Sequence, residues 1–240
     1  MDNWNQMNQY SFDSSYAPGL TLNQYIARTY AWMFVGLTIT FLLAWAMSAS
    51  GAVFTLLIAF PQIAMILLIA ELAVVFIFSA RVHKNSVGVS RVLFVIYSVL
   101  NGVVFSVIFV VFEVTSLIAI FGLTALFFGG FALYGRFTKT DHLSRLRPLL
   151  IVGLIFLLVA GVLSLFIDMT AMERLICMAG IVIFLCCTAY DNQKIKANYQ
   201  FFYHYAVMLQ KASIYSALQL YLDFLNLFLY LLRFLGRSKN

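Results

Sequence analysis

The chain of 240 residues is 63% hydrophobic and only 10% charged, with a mean hydropathy of +0.96 and a net charge of +6. Soluble domains carry about 25% charged residues on average, so a core this apolar would have no polar shell to cover it in water. Long Leu, Ile, Val and Phe runs, with no short alternating segments, also exclude an outer-membrane barrel and leave an all-α, polytopic membrane protein.

Residues 1–29, MDNWNQMNQYSFDSSYAPGLTLNQYIART, are polar and lack both the basic and the apolar region of a signal peptide, so they read as an N-terminal tail. A spanning helix needs about 20 mostly apolar residues. Seven such stretches follow, at about 30–48, 55–80, 90–111, 115–135, 149–167, 173–190 and 212–235. The expected plan is a tail (1–29), a seven-helix membrane domain (30–236) and a C-terminal tail (237–240).

Several residues interrupt these spans. The second holds Pro61 and Glu71, the third Asn101 beside Gly102, and the fourth the pair Gly129 and Gly130; these are places where helices kink, pack closely or hydrogen-bond across an interface. Cys177, Cys186 and Cys187 all fall in the sixth span without metal-ligand spacing and read as small core residues. After that span comes NYQFFYHYAVMLQK, which reads as a long loop.

Basic residues set the orientation. Arg28, then Arg81, Lys84 and Arg91, then Arg136, Lys139, Arg145 and Arg147, then Lys194, Lys196 and Lys211 fall on one side, and only Arg174 on the other, so the N-terminus is expected in the cytoplasm. Arg237 and Lys239 oppose the rule if the seventh span crosses fully, which its length favours over a re-entrant path. The basic balance thus reports topology and anionic lipid contact, and no nucleic-acid partner is expected.

The seventh span, SALQLYLDFLNLFLYLLR (residues 216–233), carries the sharpest signal. Its polar residues Ser216, Gln219, Asp223, Asn226, Tyr230 and Arg233 are spaced 3, 4, 3, 4 and 3 apart. At about 100° per residue they occupy one face within an arc of roughly 100°. A charged group at the bilayer centre costs at least about 2.5–3.5 kcal/mol, so this stripe must face other helices or water, and the seventh helix is expected to be central. Asp223 and Arg233 lie about 15 Å apart along the axis, too far to pair directly.

Two other acids are candidates for company. Asp191 ends the sixth span in CCTAYDNQKIK, and Glu71 precedes Arg81 by the same ten residues that separate Asp223 from Arg233. Arg233 is one candidate partner for Glu71. A crude register at about 1.5 Å per residue puts Asp191 about 5 Å and Asp223 about 14 Å inside the cytoplasmic boundary, so it does not set the two aspartates side by side, and hydropathy alone does not decide the pairing. An isolated Asp223 could simply tie helices together; with a second carboxyl beside it, the two would titrate as a coupled pair.

The segments TAYDNQKIK (188–196), ALQLYLDFLNLFLYLLR (217–233) and YGRFTKTDHLS (134–144) resemble the Bax inhibitor family of transmembrane proteins, in its bacterial branch, over the second to seventh spans. The resemblance implies seven helices with the last one surrounded, and an acidic pair falling on Asp191 and Asp223. It further implies a pH-sensitive calcium leak in a bacterial inner membrane, with the pair as proton sensor and weak, transient calcium site. Arg81, by order along the chain, matches a helix-2 arginine that helps close the pore. Glu71, Asn101, Gln219, Asn226 and Arg233 are further intramembrane polar positions.

No resident cofactor is implied; calcium is the permeant ion, and the partners are the bilayer, calcium and protons. The alternative is a non-transporting regulator that binds a membrane protease or stress-response protein, for which the aromatic residues 201–205 and the polar tail are the available surfaces. An enzyme is not expected, because HExxH and GxSxG are absent and His83, His142 and His204 lie in loops or at helix edges. A retinal receptor would need a lysine within the last span, whereas Lys211 sits at its edge.

Overall fold

The structure is a computed structural model that describes residues 20–60, 62–81, 86–138, 143, 145–164 and 170–239. Residues 1–19 of the tail, Pro61, His83, Lys84, Lys139 and His142 lie outside the described residues, as does the side chain of Arg81. The described helices are α1 (Leu22–Ala49), α2 (Ala52–Ala59), α3 (Ile63–Arg81), α4 (Val87–Val111), α5 (Val114–Phe137), α6 (Arg147–Leu163), α7 (Thr170–Phe202) and α8 (Ala206–Leu235). Among the described residues the only β-type pairing is an isolated bridge between Phe112 and Ser238. The chain is an all-α, polytopic membrane protein.

Five helices, α1, α4, α5, α7 and α8, are long and apolar enough to cross a bilayer. The fifth expected span appears as α6, of 17 residues. The second, read as continuous from 55 to 80, is divided between α2 and α3, with Phe60 leaving helical geometry (φ −135°, ψ 79°) just before Pro61. A proline at that point has no amide to continue the helical ladder.

Three helix ends differ from the hydropathy reading. α1 starts at Leu22, inside the segment read as a tail, because Thr21 and Gln24 form a reciprocal cap: Gln24 N–H donates to Thr21 Oγ1 (3.3 Å) and Thr21 N–H to Gln24 Oε1 (2.9 Å). α7 runs on to Phe202, and α8 begins at Ala206. The segment NYQFFYHYAVMLQK is therefore not a long loop; only residues 203–205 separate two helices, whose polar faces hydropathy mistook for irregular chain.

α8 is the hub. Over its most apolar stretch 56% of residues are buried, against 28–39% in the other long helices, and it packs on α1, α4, α5 and α7. Phe228 sits between Phe41 of α1 (centroids 5.6 Å apart), Phe105 of α4 (6.0 Å) and Phe121 of α5 (6.4 Å). Apolar side chains such as Ile58, Phe76, Leu126 and Leu149 point outward as a lipid-facing belt.

Glycines set the closest approaches. A Cβ on Gly102 would meet the Leu43 side chain at 2.9 Å, so the gap expected beside Asn101 is filled by α1. A Cβ on Gly135 would lie 2.1 Å from the Ala189 carbonyl oxygen, which locks α5 against α7 backbone to backbone. At the pair expected to pack or kink, Gly129 and Gly130, α5 runs on as one helix, and a Cβ at either would meet no described atom within 4 Å.

α8 is unbroken over 30 residues, from the level of α1's first turns to the α4–α5 turn. At its far end the tail pairs with that turn: Glu113 N–H donates to Arg237 O (3.1 Å), Lys239 N–H to Val111 O (2.9 Å) and Lys239 Nζ to Phe109 O (2.9 Å).

Candidate functional site

α7 and α8 run antiparallel in a fixed register. Asn198 Nδ2 donates to Ser216 Oγ at 3.2 Å, and the Phe184 and Tyr230 rings stack with centroids 5.8 Å apart. Between these contacts the carboxyls of Asp191 and Asp223 hydrogen-bond to each other. The three contacts advance by seven residues on each helix (184, 191, 198 against 230, 223, 216), about 10 Å per step, the repeat that keeps two α-helices in contact along a seam.

The polar stripe read from the sequence is thus the α7-facing side of α8. Gly180 makes room for Tyr230, since a Cβ there would fall 2.6 Å from the ring. Arg233, one turn further on, lies beside Cys177 and Tyr230 and is itself exposed. Asn226 turns back on its own helix, donating to Leu222 O at 2.8 Å, and Gln219 is half-buried.

Asp223 is enclosed and Asp191 half-buried. Asp223 is 5% exposed, and its Oδ2 is buried without a hydrogen-bond partner. Cys187 is close enough to both carboxyls to feel their charge, and Lys194 is a cation that acts on both. The crude register failed to pair the aspartates because α7 runs on to Phe202 and α8 begins at Ala206, away from the ends expected at 190 and 212.

Carboxyl atoms that contact each other at an enclosed site hold a proton between them or repel. With one proton the pair is a hydrogen bond across the α7–α8 seam; with none, two negative charges face each other in a low-dielectric interior. Among the described residues no group of three or more His, Cys, Asp or Glu side chains gathers. Oxygen ligands for a calcium ion would come from these two carboxylates and neighbouring carbonyls or amides, a sparse set beside the six to eight that calcium prefers.

A second polar cluster lies on the opposite side of α8, and hydropathy missed it. Thr40 of α1 donates to Ser98 O (2.9 Å), so the Tyr221 hydroxyl, 2.6 Å away, donates to Thr40. Lower on the same face, Ser213 meets Thr29 at 3.2 Å. Glu71 is close enough to Tyr97 and Tyr221 to act on both, and its Oε1 is buried without a partner.

The structure therefore sets Glu71 beside tyrosines, and Arg233 beside Tyr230 and Cys177, instead of bringing the two together. Asn101 donates to Tyr97 O (3.0 Å) on its own helix, and among the described residues no interhelical hydrogen bond from it is found. Apart from Glu71, the signal for this cluster was present only as Thr, Ser and Tyr, residues that apolar helices accept without a visible break.

The family model described as "Inhibitor of apoptosis-promoting Bax1" matches residues 22–240. "Inner membrane protein YbhL" of Escherichia coli strain K12 is 40% identical over 228 residues, covering 95% of this chain and 97% of the relative. An uncharacterized protein of Borreliella burgdorferi is 34% identical over 221 residues (92% and 95%). An uncharacterized membrane protein of Streptococcus pyogenes serotype M1 is 34% identical over 222 residues (90% and 94%). With matches that run almost end to end and a surrounded α8 that carries the aspartate motif, the chain belongs to the Bax inhibitor family.

Proposed function

We propose that this protein is a pH-sensitive calcium leak of a bacterial inner membrane, with its N-terminus in the cytoplasm and the Asp191–Asp223 pair as proton sensor and gate. The observation that carries the reading is the carboxyl contact within the α7–α8 seam, with Asp223 Oδ2 left unpaired. A buried polar atom without a partner is costly in a finished structural contact and useful in a site that gains one on switching.

At low pH one proton bridges the carboxyls and holds α7 to α8. As pH rises the proton leaves, repulsion and hydration part the helices, and the two carboxylates attract a divalent cation. The sparse ligand set favours passage over storage. No enzymatic step and no resident cofactor enter this scheme, and the arginine expected to help close the pore is Arg81.

Calcium flux into vesicles holding the purified protein tests it. Flux should rise with pH in the wild type and become pH-independent in Asp223→Asn. A variant that keeps the full pH response would overturn the sensor assignment, and flux that falls as pH rises would overturn the gating scheme.

A second reading, a regulator that binds another membrane protein, draws on one feature. α7 is 33 residues long, about 50 Å, which exceeds a hydrocarbon core of about 30 Å. Beyond the aspartate pair it leads to exposed Phe201, Tyr203 and Tyr205. Exposed aromatics of this kind suit a protein contact. Co-purification of a single partner by wild type, lost in Phe201→Ser/Tyr205→Ser with flux intact, would support that role alongside the leak.

A further inference from the structure

A cavity of about 600 Å³ opens between α1, α5 and α7, near the N-terminal end of α1. Its volume falls in the range of about 300–1,000 Å³ typical of small-molecule sites. The lining is asymmetric. Arg136 and Lys196 supply two exposed cations, and Asn192 and Gln193, 6% and 8% exposed, supply amides. Leu22 and Ile26 of α1 form an apolar wall, and among the described residues no carboxylate lines the space.

The walls are held in place. The Gly135–Ala189 backbone contact fixes α5 against α7 along one side of the cavity. Gln193 Nε2 donates to Thr138 O at 3.4 Å, and Asn192 accepts from the Tyr30 hydroxyl, which ties α7 to α5 and α1. Asn192 also donates to Thr188 O at 2.8 Å. A calcium vestibule would be lined with carboxylates or carbonyls, whereas this one presents a guanidinium and an ammonium.

We propose that the cavity binds a phosphoryl group of net negative charge, with Arg136 and Lys196 as its cationic ligands and the α1 wall accepting apolar groups attached to it. A planar guanidinium pairs with two phosphoryl oxygens at once, and an ammonium adds a point charge. The ligand is the headgroup of an anionic phospholipid or a soluble phosphate monoester; both present the same chemistry to these residues. The site is separate from the Asp191–Asp223 contact and stands whether or not that pair gates a leak.

The test uses the full chain in nanodiscs. In one arm, native mass spectrometry compares retention of phosphatidylglycerol and phosphatidylcholine in discs of the two lipids mixed. In the other, glycerol 3-phosphate is titrated into discs of pure phosphatidylcholine by calorimetry. The wild type should bind one of these probes saturably, and Arg136→Gln/Lys196→Gln should weaken it about tenfold or more, as expected for the loss of two charge-assisted contacts.

Arg174→Gln removes one exposed charge at the other end of α7 and should leave binding unchanged. Selective retention of phosphatidylglycerol assigns the lipid source; glycerol 3-phosphate binding assigns the soluble one. If the double variant does not fold, Lys196→Gln alone, at an exposed position, should still weaken binding several-fold. Binding of both probes that is equal in wild type and variant, or weakened as much by Arg174→Gln, overturns the proposal.

Discussion

The two sides of α8 meet their neighbours with different chemistry. Toward α1 and α4, Tyr221 and Ser213 donate to threonines that donate onward to carbonyls, and the Tyr221 ring is fully buried, with its centroid 5.7 Å from that of Phe94. Toward α7, two carboxyls face each other and one oxygen is left unpaired. The Tyr221–Thr40 and Ser213–Thr29 hydroxyl bonds hold this side in one arrangement, although Glu71, near Tyr97 and Tyr221, also keeps a buried Oε1 without a partner. Ionisable groups with a bond unmade give a contact whose arrangement depends on protons. We expect the hydroxyl-bonded contacts of α1, α4 and α8 to be the fixed part of the bundle and the carboxyl pair of the α7–α8 seam to be a part that responds to protons.

The strongest way to break this contrast is Asp223→Asn. An amide keeps a hydrogen bond to Asp191 but cannot ionise, so the whole pH response of calcium flux should disappear while unfolding in detergent shifts by less than about 1 kcal/mol. Loss of folding instead would place the carboxyl pair with the fixed contacts. Next in size, Tyr221→Ala removes a fully buried ring from the hydroxyl side and should destabilise by about 3–5 kcal/mol, measured by chemical unfolding. A cost below about 1 kcal/mol would show that this side is not the fixed one.

On the α7 side, Gly180→Ala sets a methyl against the Tyr230 ring, and the displaced ring should cost about 1–3 kcal/mol. Because that contact brackets the aspartates, its loss should also raise calcium flux at low pH, when the seam is otherwise closed. The smallest effect is expected from Tyr221→Phe, which deletes one hydroxyl and leaves Thr40 bonded to Ser98 O. A loss of about 1 kcal/mol with an unaltered pH profile sharpens the contrast. A shifted profile would show that the two sides of α8 communicate.

How much of this was legible depended on the range of the interaction. Thr21 and Gln24 cap α1 within four residues of chain, so its start at Leu22 was written in TLNQ, although counting apolar residues passed over it. The stripe from Ser216 to Arg233 was legible because a helix repeats about every 3.6 residues and a bilayer penalises polar groups left facing lipid. Which glycine allows close packing was not, since Gly129, Gly130 and Gly135 look alike until a neighbouring helix is in place.

The sequence by itself determined that the chain lives in a membrane, that it is built of helices, and that the last of them must be surrounded. Composition and periodicity carry these conclusions because each is a property of one segment and its solvent. Periodicity left the meeting of Asp191 and Asp223 open and only the family resemblance implied it; tertiary structure decided that contact, and it alone decided that Glu71 lies with Tyr97 and Tyr221 and that Arg233 lies by Tyr230. Those pairings depend on the axial offset between two helices. A shift of a few residues in where α7 ends and α8 begins moves each partner by about 1.5 Å per residue, and only the packing of side chains along the seam fixes that offset.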